Sequence, residues 1–371
     1  MPPVNLLIKP ASSLCNMRCR YCFYCDVAEN RNTASYGIMS PETTEAMVQN
    51  VFTHATGSVA IAFQGGEPTI AGAAYFRHFH AMVDKYNTKN VPVSFSMQTN
   101  GYHMPDELAQ ILAEHHYLLG VSLDGMGALH DSLRPDAAGA GTFRRVNETL
   151  DRLEAHGIDY NILCVVTEPV ARRGAEVYKY FRSRKFQFVQ FIPYVPDFGR
   201  ERESHPFTLS NKRYAQFLST TFRLYYEDFC RGQYISIRQF DNFIRLAAGM
   251  PTECCGMDGI CHANLIVEAD GSTYPCDFYV LDKWKTGNIA TDPLPALLHS
   301  PVAKAFVDMS GTIEPACRKC PCLPICRGGC RRHRETEDGG IGLNRYCEAY
   351  KTFFTENAAR IGDMARRIRQ G

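Results

Sequence analysis

Three cysteines at the spacing Cys15-x3-Cys19-x2-Cys22 directly follow an apolar run, Val4 to Ile8. Three closely spaced thiolates can hold three corners of a [4Fe–4S] cube and leave the fourth iron open for another ligand. The same string suits three of four zinc ligands or ordinary buried cysteines, since closed zinc sites want four protein ligands. A second series lies toward the other end: Cys261-x9-Gly271-x4-Cys276, then Cys317-x2-Cys320-x5-Cys326-x3-Cys330, then Cys347, with Cys255 upstream. Those eight thiols can close two clusters completely, or form a pair of four-cysteine zinc sites. Cys254 adjoins Cys255 and Cys322 sits two residues past Cys320, so both positions are ambiguous. Cys25, Cys164 and Cys230 are most simply free thiols, and Cys164, inside Ile162 to Val166, reads as a core residue.

The elements that would carry the first triad alternate between short β-rich runs and longer helical stretches from residue 4 to about 193, the signature of βα units around a parallel sheet. The expected strands are Val4 to Ile8, Val59 to Gln64, Val93 to Gln98, Leu118 to Leu123, Tyr160 to Val166 and Phe186 to Ile192. Helices are expected from Pro41, with Ser40 as cap, and over Ala73 to Lys85, Pro105 to His115, Thr142 to His156 and Ala171 to Arg184. Six such units suit an α/β fold of the partial (β/α)6 TIM-type barrel kind, in which chemistry sits at the C-terminal ends of strands. The triad, Gln64-Gly-Gly-Glu67, Gln98-Thr-Asn-Gly101, Ser122-Leu-Asp-Gly125 and Pro193-Tyr194-Val195 all fall there. Turn formation alone accounts for one or two of these, but not for a polar end on most of the units.

A charged, turn-rich linker over residues 197–206 and an aromatic-rich helix, about Asn211 to Cys230, separate this region from a metal-organised C-terminal third. The expected division is 1–200 for the barrel, 201–250 for a helical linker and 251–371 for the second cysteine module. The basic stretch Arg360 to Arg369 reads as a solvated helix face.

Over 371 residues the chain is 45% hydrophobic, with a formal charge of +1. Such a balance argues against a nucleic acid or membrane surface held by bulk electrostatics, and for a small molecule or peptide as partner. No stretch approaches the length of a membrane span, and Met-Pro-Pro-Val-Asn lacks a signal peptide's features, so a cytoplasmic protein is expected. Sixteen cysteines in a long chain of this kind point to metal rather than disulfides.

The triad, with Tyr21 and Phe23 flanking its last cysteine and Gly65-Gly66-Glu67-Pro68 ending the next strand, resembles the radical S-adenosylmethionine (SAM) superfamily. That resemblance implies SAM chelating the open iron and a 5′-deoxyadenosyl radical that removes hydrogen from an unactivated C–H bond. It places Gly65, Gly66 and Glu67 near the methionyl amino group, Ser122 and Arg134 on ribose and carboxylate, and Tyr21 and Val195 around adenine. A lone strand-end serine or loop arginine is otherwise more often a turn or solvated residue. The later cysteines match the SPASM auxiliary-cluster pattern. By that resemblance Cys255, Cys261, Cys276 and Cys330 form one set and Cys317, Cys320, Cys326 and Cys347 the other, for three [4Fe–4S] clusters in all.

Ile8-Lys-Pro-Ala-Ser-Ser, Cys22-Phe-Tyr, Ala62-Phe-Gln-Gly-Gly-Glu-Pro-Thr69, Asn161-Ile-Leu-Cys-Val-Val-Thr167, Tyr274-Pro-Cys-Asp-Phe-Tyr-Val-Leu-Asp-Lys-Trp284 and Gly328-Gly-Cys-Arg-Arg332 are similar to the anaerobic sulfatase-maturating enzymes, nearly end to end. The resemblance implies oxidation of a Cys or Ser in a sulfatase polypeptide to Cα-formylglycine, at a motif with Pro or Ala two residues later and Arg four later. It also implies Asp277 as base, Tyr24, Gln64 and Gln98 around the substrate, and an electron donor such as flavodoxin or ferredoxin. An aspartate in a Pro-Cys-Asp turn is otherwise commonly a backbone cap, and buried hydrogen bonding accounts equally for the two glutamines. Cys25 and Val195 depart from the family pattern, and Tyr194 to His205 is where peptide specificity can diverge. A maturase of another ribosomal peptide, forming thioether or carbon–carbon bonds, would share the triad and SPASM module. Many of those carry an N-terminal recognition extension for which Cys15 leaves no room. A zinc-organised binding protein is the alternative from a different class.

Overall fold

The computed structural model describes residues 3–198, 206–336 and 339–370. In chain order its strands are β1 (Val4–Ile8), β2 (Val59–Phe63), β3 (Val93–Thr99), β4 (Leu118–Ser122), β5 (Tyr160–Val166), β6 (Phe188–Pro193), β7 (Ser236–Ile237), β8 (Leu265–Val267), β9 (Ser272–Tyr274) and β10 (Gly287–Asn288). The first six alternate with helices at the expected places, within a residue or two at each end. Two compact units result, and the first joins Met1–Ser122, His130–Tyr160 and Ala263–Phe306.

Within the first unit the strand order is β10-β9-β8-β1-β2-β3-β4. From β8 to β4 every pair is parallel, while β9 runs antiparallel to β8 and β10. The register Val4↔Val59 through Ile8↔Phe63 continues past the strands, since Gln64 N–H donates to Ile8 O at 3.0 Å. Parallel pairing therefore brings the chain leaving β1 beside the chain leaving β2, which is where the cysteines and the glycine pair lie. Phe63 anchors the core beneath, its ring 6.5, 5.1 and 5.0 Å from those of Tyr75, Phe76 and Phe79 on the helix Gly72–Tyr86. Burying each such ring contributes about 1.5–3 kcal/mol. The helix Pro41–His54 starts as its sequence dictates, with Pro41 in the first turn and the Ser40 hydroxyl accepting from Thr43 N–H at 3.1 Å.

The second unit joins Leu123–Leu129, Asn161–His262 and Val307–Gly371. In it β5, β6 and β7 are parallel neighbours. Its helices Asn211–Cys230, Arg238–Ala247 and Cys347–Gln370 meet through aromatic rings, Phe222 lying 5.1 Å from Phe240 and 5.3 Å from Phe353.

Some expectations are corrected. The single helix expected over Ala171 to Arg184 is two, Glu168–Arg172 and Gly174–Ser183. Arg173 leaves helical geometry at φ −112°, and Gly174 meets the Phe217 ring so closely that a Cβ would stand 2.6 Å from it. β6 starts at Phe188 rather than Phe186, because Phe186 N–H donates back to Phe181 O at 3.2 Å and closes the preceding helix. Most of the charged run 197–206 lies outside the described residues. Arg366, Arg367 and Arg369 are exposed on the C-terminal helix. Among the described residues no helix is long and apolar enough to cross a membrane.

Candidate active site

The loop after β1 is seated against the loop after β2. Leu14 N–H donates to Ala11 O at 2.9 Å and Ser12 N–H to Lys9 O at 3.1 Å, with Ser12 at φ +50°. Gly66 N–H then donates to Ser12 O and Glu67 N–H to Leu14 O, each at 2.8 Å. The glycine pair permits this approach: a Cβ on Gly65 would lie 2.8 Å from Ser12 O, and one on Gly66 2.1 Å from Leu14 O. Arg31, itself buried, braces the loop from the other side, bonding Glu268 at 2.7 Å and the Ser12 hydroxyl at 3.2 Å. The Glu67 carboxylate is fully buried and accepts from the Thr69 N–H and hydroxyl, the Thr99 hydroxyl and Asn100 N–H, at 2.7–3.1 Å. Burial pushes its carboxyl up while those donors oppose the shift. Its side chain thus ties the loop after β2 to the end of β3.

On this loop Cys15 Sγ accepts from Met17 N–H at 3.4 Å and from Asn100 Nδ2 at 3.6 Å. Donors to sulfur are what a cluster-bound thiolate uses to tune its potential. Burial pushes the Cys15 thiol up, whereas Cys22 is pulled down to about 6, chiefly by a hydrogen bond from Cys25. That same bond pushes Cys25 up. Arg18 N–H to Pro135 O at 2.9 Å and Arg20 N–H to Leu133 O at 3.0 Å pair the loop with the segment carrying Arg134. The Arg134 guanidinium donates to the Tyr21 hydroxyl at 2.7 Å, and Ser122 ends β4.

Asp277 lies on a short turn, Asp277–Tyr279, after β9, and three side chains from the early part of the chain converge on its carboxylate. Oδ2 accepts from the Tyr24 hydroxyl at 2.5 Å and Gln64 Nε2 at 3.0 Å, and Lys9 Nζ lies 2.8 Å from Oδ1. Phe23 and Phe278 pack beside them, ring centroids 4.7 Å apart and planes tilted by 52°. Burial and the neighbouring carboxylate push the Tyr24 phenol well above its ordinary range, so it stays a proton donor. Gln98 lies over Gly120, its register partner on β4, where a Cβ would stand 2.0 Å from Gln98 Oε1. That oxygen is buried without a hydrogen-bond partner among the described residues.

Lys9 was assigned no role by sequence reasoning, nor was Asn100. A lysine at a strand's C-terminal end, where the other chemistry-bearing residues fall, is the signal that could have found the first. Asn100 stood inside the Gln98-Thr-Asn-Gly101 segment already singled out.

In the second unit Cys255, Cys330 and Cys326 are pushed up by burial, to about 12, 11 and 11, and the thiols of Cys254, Cys330 and Cys261 add to the effect at Cys255. Buried thiols of this kind ionise when a metal is bound to them. Cys317, Cys320, Cys322, Cys326 and Cys347 line one cavity, with Tyr350 and Lys351 on its wall. Five thiols on one cavity are one more than a closed four-thiolate cluster uses. Among the described residues no three or more His, Cys, Asp or Glu side chains stand close enough to share one ion. A cube's thiolates each bind a different corner and stand farther apart. Cys276 is in the first unit, directly before Asp277. Val195 is buried in the second, between Tyr194, whose carbonyl accepts from the Tyr346 hydroxyl at 2.8 Å, and Pro196, whose carbonyl accepts from Arg332 at 2.6 Å.

Residues 10–173 match the model of the Radical SAM superfamily, and residues 259–321 that of the SPASM iron-sulfur cluster-binding domain. Fold and thiols together therefore define a radical SAM protein with an auxiliary-cluster domain. The chain is 42% identical over 370 residues, all of both chains, to the cysteine-type anaerobic sulfatase-maturating enzyme of Clostridium perfringens. It is 27% identical over 384 residues to the serine-type enzyme of Bacteroides thetaiotaomicron, covering 99% of this chain and 92% of the relative. The solved structure of native anSMEcpe with bound AdoMet and Cp18Cys peptide superposes with a TM-score of 0.94 at 41% identity, over 99% of this chain and 100% of that one. The chain belongs to the family of anaerobic sulfatase-maturating enzymes.

Proposed function

We propose that this protein oxidises a cysteine of a sulfatase polypeptide to Cα-formylglycine. The observation that carries the reading is the Asp277 carboxylate, held by Tyr24, Gln64 and Lys9 in the unit that also carries the cysteine triad. Cysteine is favoured over serine because the cysteine-type relative is 42% identical and the serine-type relative 27%.

When bound, a [4Fe–4S] cluster on Cys15, Cys19 and Cys22 supplies with SAM a hydrogen-abstracting 5′-deoxyadenosyl radical, and auxiliary clusters on Cys255, Cys261, Cys276, Cys330 and on Cys317, Cys320, Cys326, Cys347 supply an outlet for one electron. Gly65 and Gly66 present backbone to the methionyl group, Glu67 fixes their loop, Ser122 and Arg134 bind ribose and carboxylate, and Tyr21 and Val195 border the adenine. Once a Cβ hydrogen is gone, the substrate must lose the thiol proton and one electron to become a thioaldehyde, which water converts to the aldehyde with release of sulfide. Asp277 takes that proton, with Tyr24 and Gln64 fixing its orientation. Gln98 lies beside them at the end of β3 and borders the substrate.

The substrate motif is Cys followed by Pro or Ala two residues on and Arg four on. The catalytic barrel spans 1–200, a helical connection 201–250 and the SPASM module 251–371. A flavodoxin or ferredoxin in the cytoplasm serves as electron donor. Anaerobic reconstitution followed by SAM, dithionite and a Cys-x-Pro-x-Arg peptide tests the reading, with 5′-deoxyadenosine and peptide mass read together. An aldehyde mass formed in step with deoxyadenosine is expected. Loss of two hydrogens with sulfur retained would move the protein to the peptide-crosslinking maturases, and a colourless zinc protein without sulfide would remove the radical chemistry altogether.

A further inference from the structure

Asn100 directly follows β3, is buried, and bonds in three directions around the cysteine triad. Its backbone N–H donates to Glu67 Oε2 at 2.7 Å. Its side-chain oxygen accepts from Tyr102 N–H at 2.8 Å, which fixes the end of the amide that carries the hydrogens. Nδ2 is thereby turned to the triad's loop, where it donates to Asn16 Oδ1 at 2.8 Å and to Cys15 Sγ at 3.6 Å. The fully buried Glu67 carboxylate is anchored close by, since Glu67 N–H donates to Leu14 O, one residue before Cys15. A buried negative charge disfavours an electron added nearby, and Asn100 donates both to that charge and to the sulfur.

From this geometry, and resting on the cluster that the reading above places on Cys15, Cys19 and Cys22, we infer that Asn100 is a positioning residue that eases reduction of that cluster by donating to the Cys15 sulfur. An added electron increases the negative charge on the sulfurs, so an N–H held toward one of them stabilises the reduced form more than the oxidised form. Met17 N–H is a second donor to the same sulfur at 3.4 Å, but it belongs to the ligand loop itself. Asn100 comes from the end of β3 and is held in place by Tyr102 and Asn16, so it needs no reorganisation when the charge changes. One electron enters from the reductant. No proton moves, and Asn100 keeps both amide hydrogens.

The test is Asn100→Ser, whose hydroxyl can still accept from Tyr102 N–H but is too short to reach the sulfur, beside Asn100→Asp, of the same shape without the amide donor. Each is reconstituted anaerobically and titrated against potential with dithionite. The triad's cluster is followed as the electron paramagnetic resonance component that changes when SAM is added. N100S is expected to keep its iron and the midpoints of its auxiliary clusters. At the wild-type midpoint the ratio of reduced to oxidised triad cluster should fall about three- to tenfold, a midpoint roughly 30–60 mV lower at about 59 mV per tenfold for one electron. N100D should fall as far or further, because it also adds a negative charge. Wild-type midpoints in both variants at full iron would overturn the inference. Loss of the triad's iron from both would overturn it too, since Asn100 would then serve the fold of the loop. Should N100S alone lose that iron, N100D is read in its place by the same criteria. Wild-type protein with no SAM-responsive component removes the cluster reading and this inference together, whereas a SAM-responsive component whose midpoint neither variant moves removes this inference alone.

Discussion

Gly66→Ala puts a methyl group into the contact that seats the cysteine loop. The added Cβ would lie 2.1 Å from Leu14 O, 2.6 Å from Ser13 C and 2.7 Å from Leu14 C, where ordinary contact begins at 3.4 Å. The shortfall at Leu14 O is 1.3 Å, and the obstacle is backbone, so no side-chain rotation relieves it. The loop must retreat by about 1 Å, roughly twice the displacement that a metal-binding constellation tolerates. The bonds Gly66 N–H to Ser12 O and Glu67 N–H to Leu14 O stretch or break with it, costing about 1 kcal/mol each. The auxiliary thiols of the second unit are untouched. Reconstituted G66A should therefore lose the iron of the triad alone, about a third of the total in a protein of three four-iron clusters, and lose deoxyadenosine formation entirely. Iron and sulfide per chain, read beside the cluster absorbance, measure this directly. A full iron complement with wild-type deoxyadenosine formation would refute the argument that the loop needs a glycine there. Gly65→Ala, with its nearest contact at 2.8 Å but φ at +135°, should give the same defect in weaker form.

Asp277→Asn should reduce aldehyde formation by about 10²–10⁴-fold while deoxyadenosine and iron content persist; product at the normal rate would remove the base assignment. In the second unit Cys326→Ala should lose one auxiliary cluster's iron and Cys322→Ala should not, though both residues line the same cavity, and the opposite iron contents would exchange their roles. Acid should destabilise the fold through buried histidines. Burial pulls His80, stacked 3.4 Å from His115, and His130 down to about 3. Between that value and the ordinary 6.5 the unfolded chain binds more protons than the folded one, so stability rises with pH across the window, and each histidine costs about 2 kcal/mol at pH 5. Denaturation midpoints at pH 5 and 7 should differ in wild type and differ less in His80→Phe; equal spans in the two proteins would show that His80 takes no part.

What could be read from sequence is what short stretches encode. Cys15, Cys19 and Cys22 lie within eight residues, and the polar ends of β2, β3 and β4 sit where hydrophobic runs stop, so spacing and strand boundaries place them without any long-range information. Ser40 capping the helix at Pro41 is equally local. The helix break at Arg173 was not legible, because its cause is the Phe217 ring against Gly174, supplied by a helix that begins at Asn211. Lys9 was missed for the same reason at larger scale. A lysine before a proline at a strand end reads as the start of a solvated loop, and only a carboxylate from the far end of the chain makes its burial affordable. That carboxylate arrives because β8 pairs with β1 and β9 turns back beside it, a connection across more than half the sequence that no local pattern announces. Asp277 itself drew attention through resemblance, but the three side chains that hold its carboxylate, Tyr24, Gln64 and Lys9, are brought to it only by the fold. Chemistry that rests on residue types close in sequence could thus be assigned early, whereas chemistry that rests on the orientation of one group by partners from other strands required the fold.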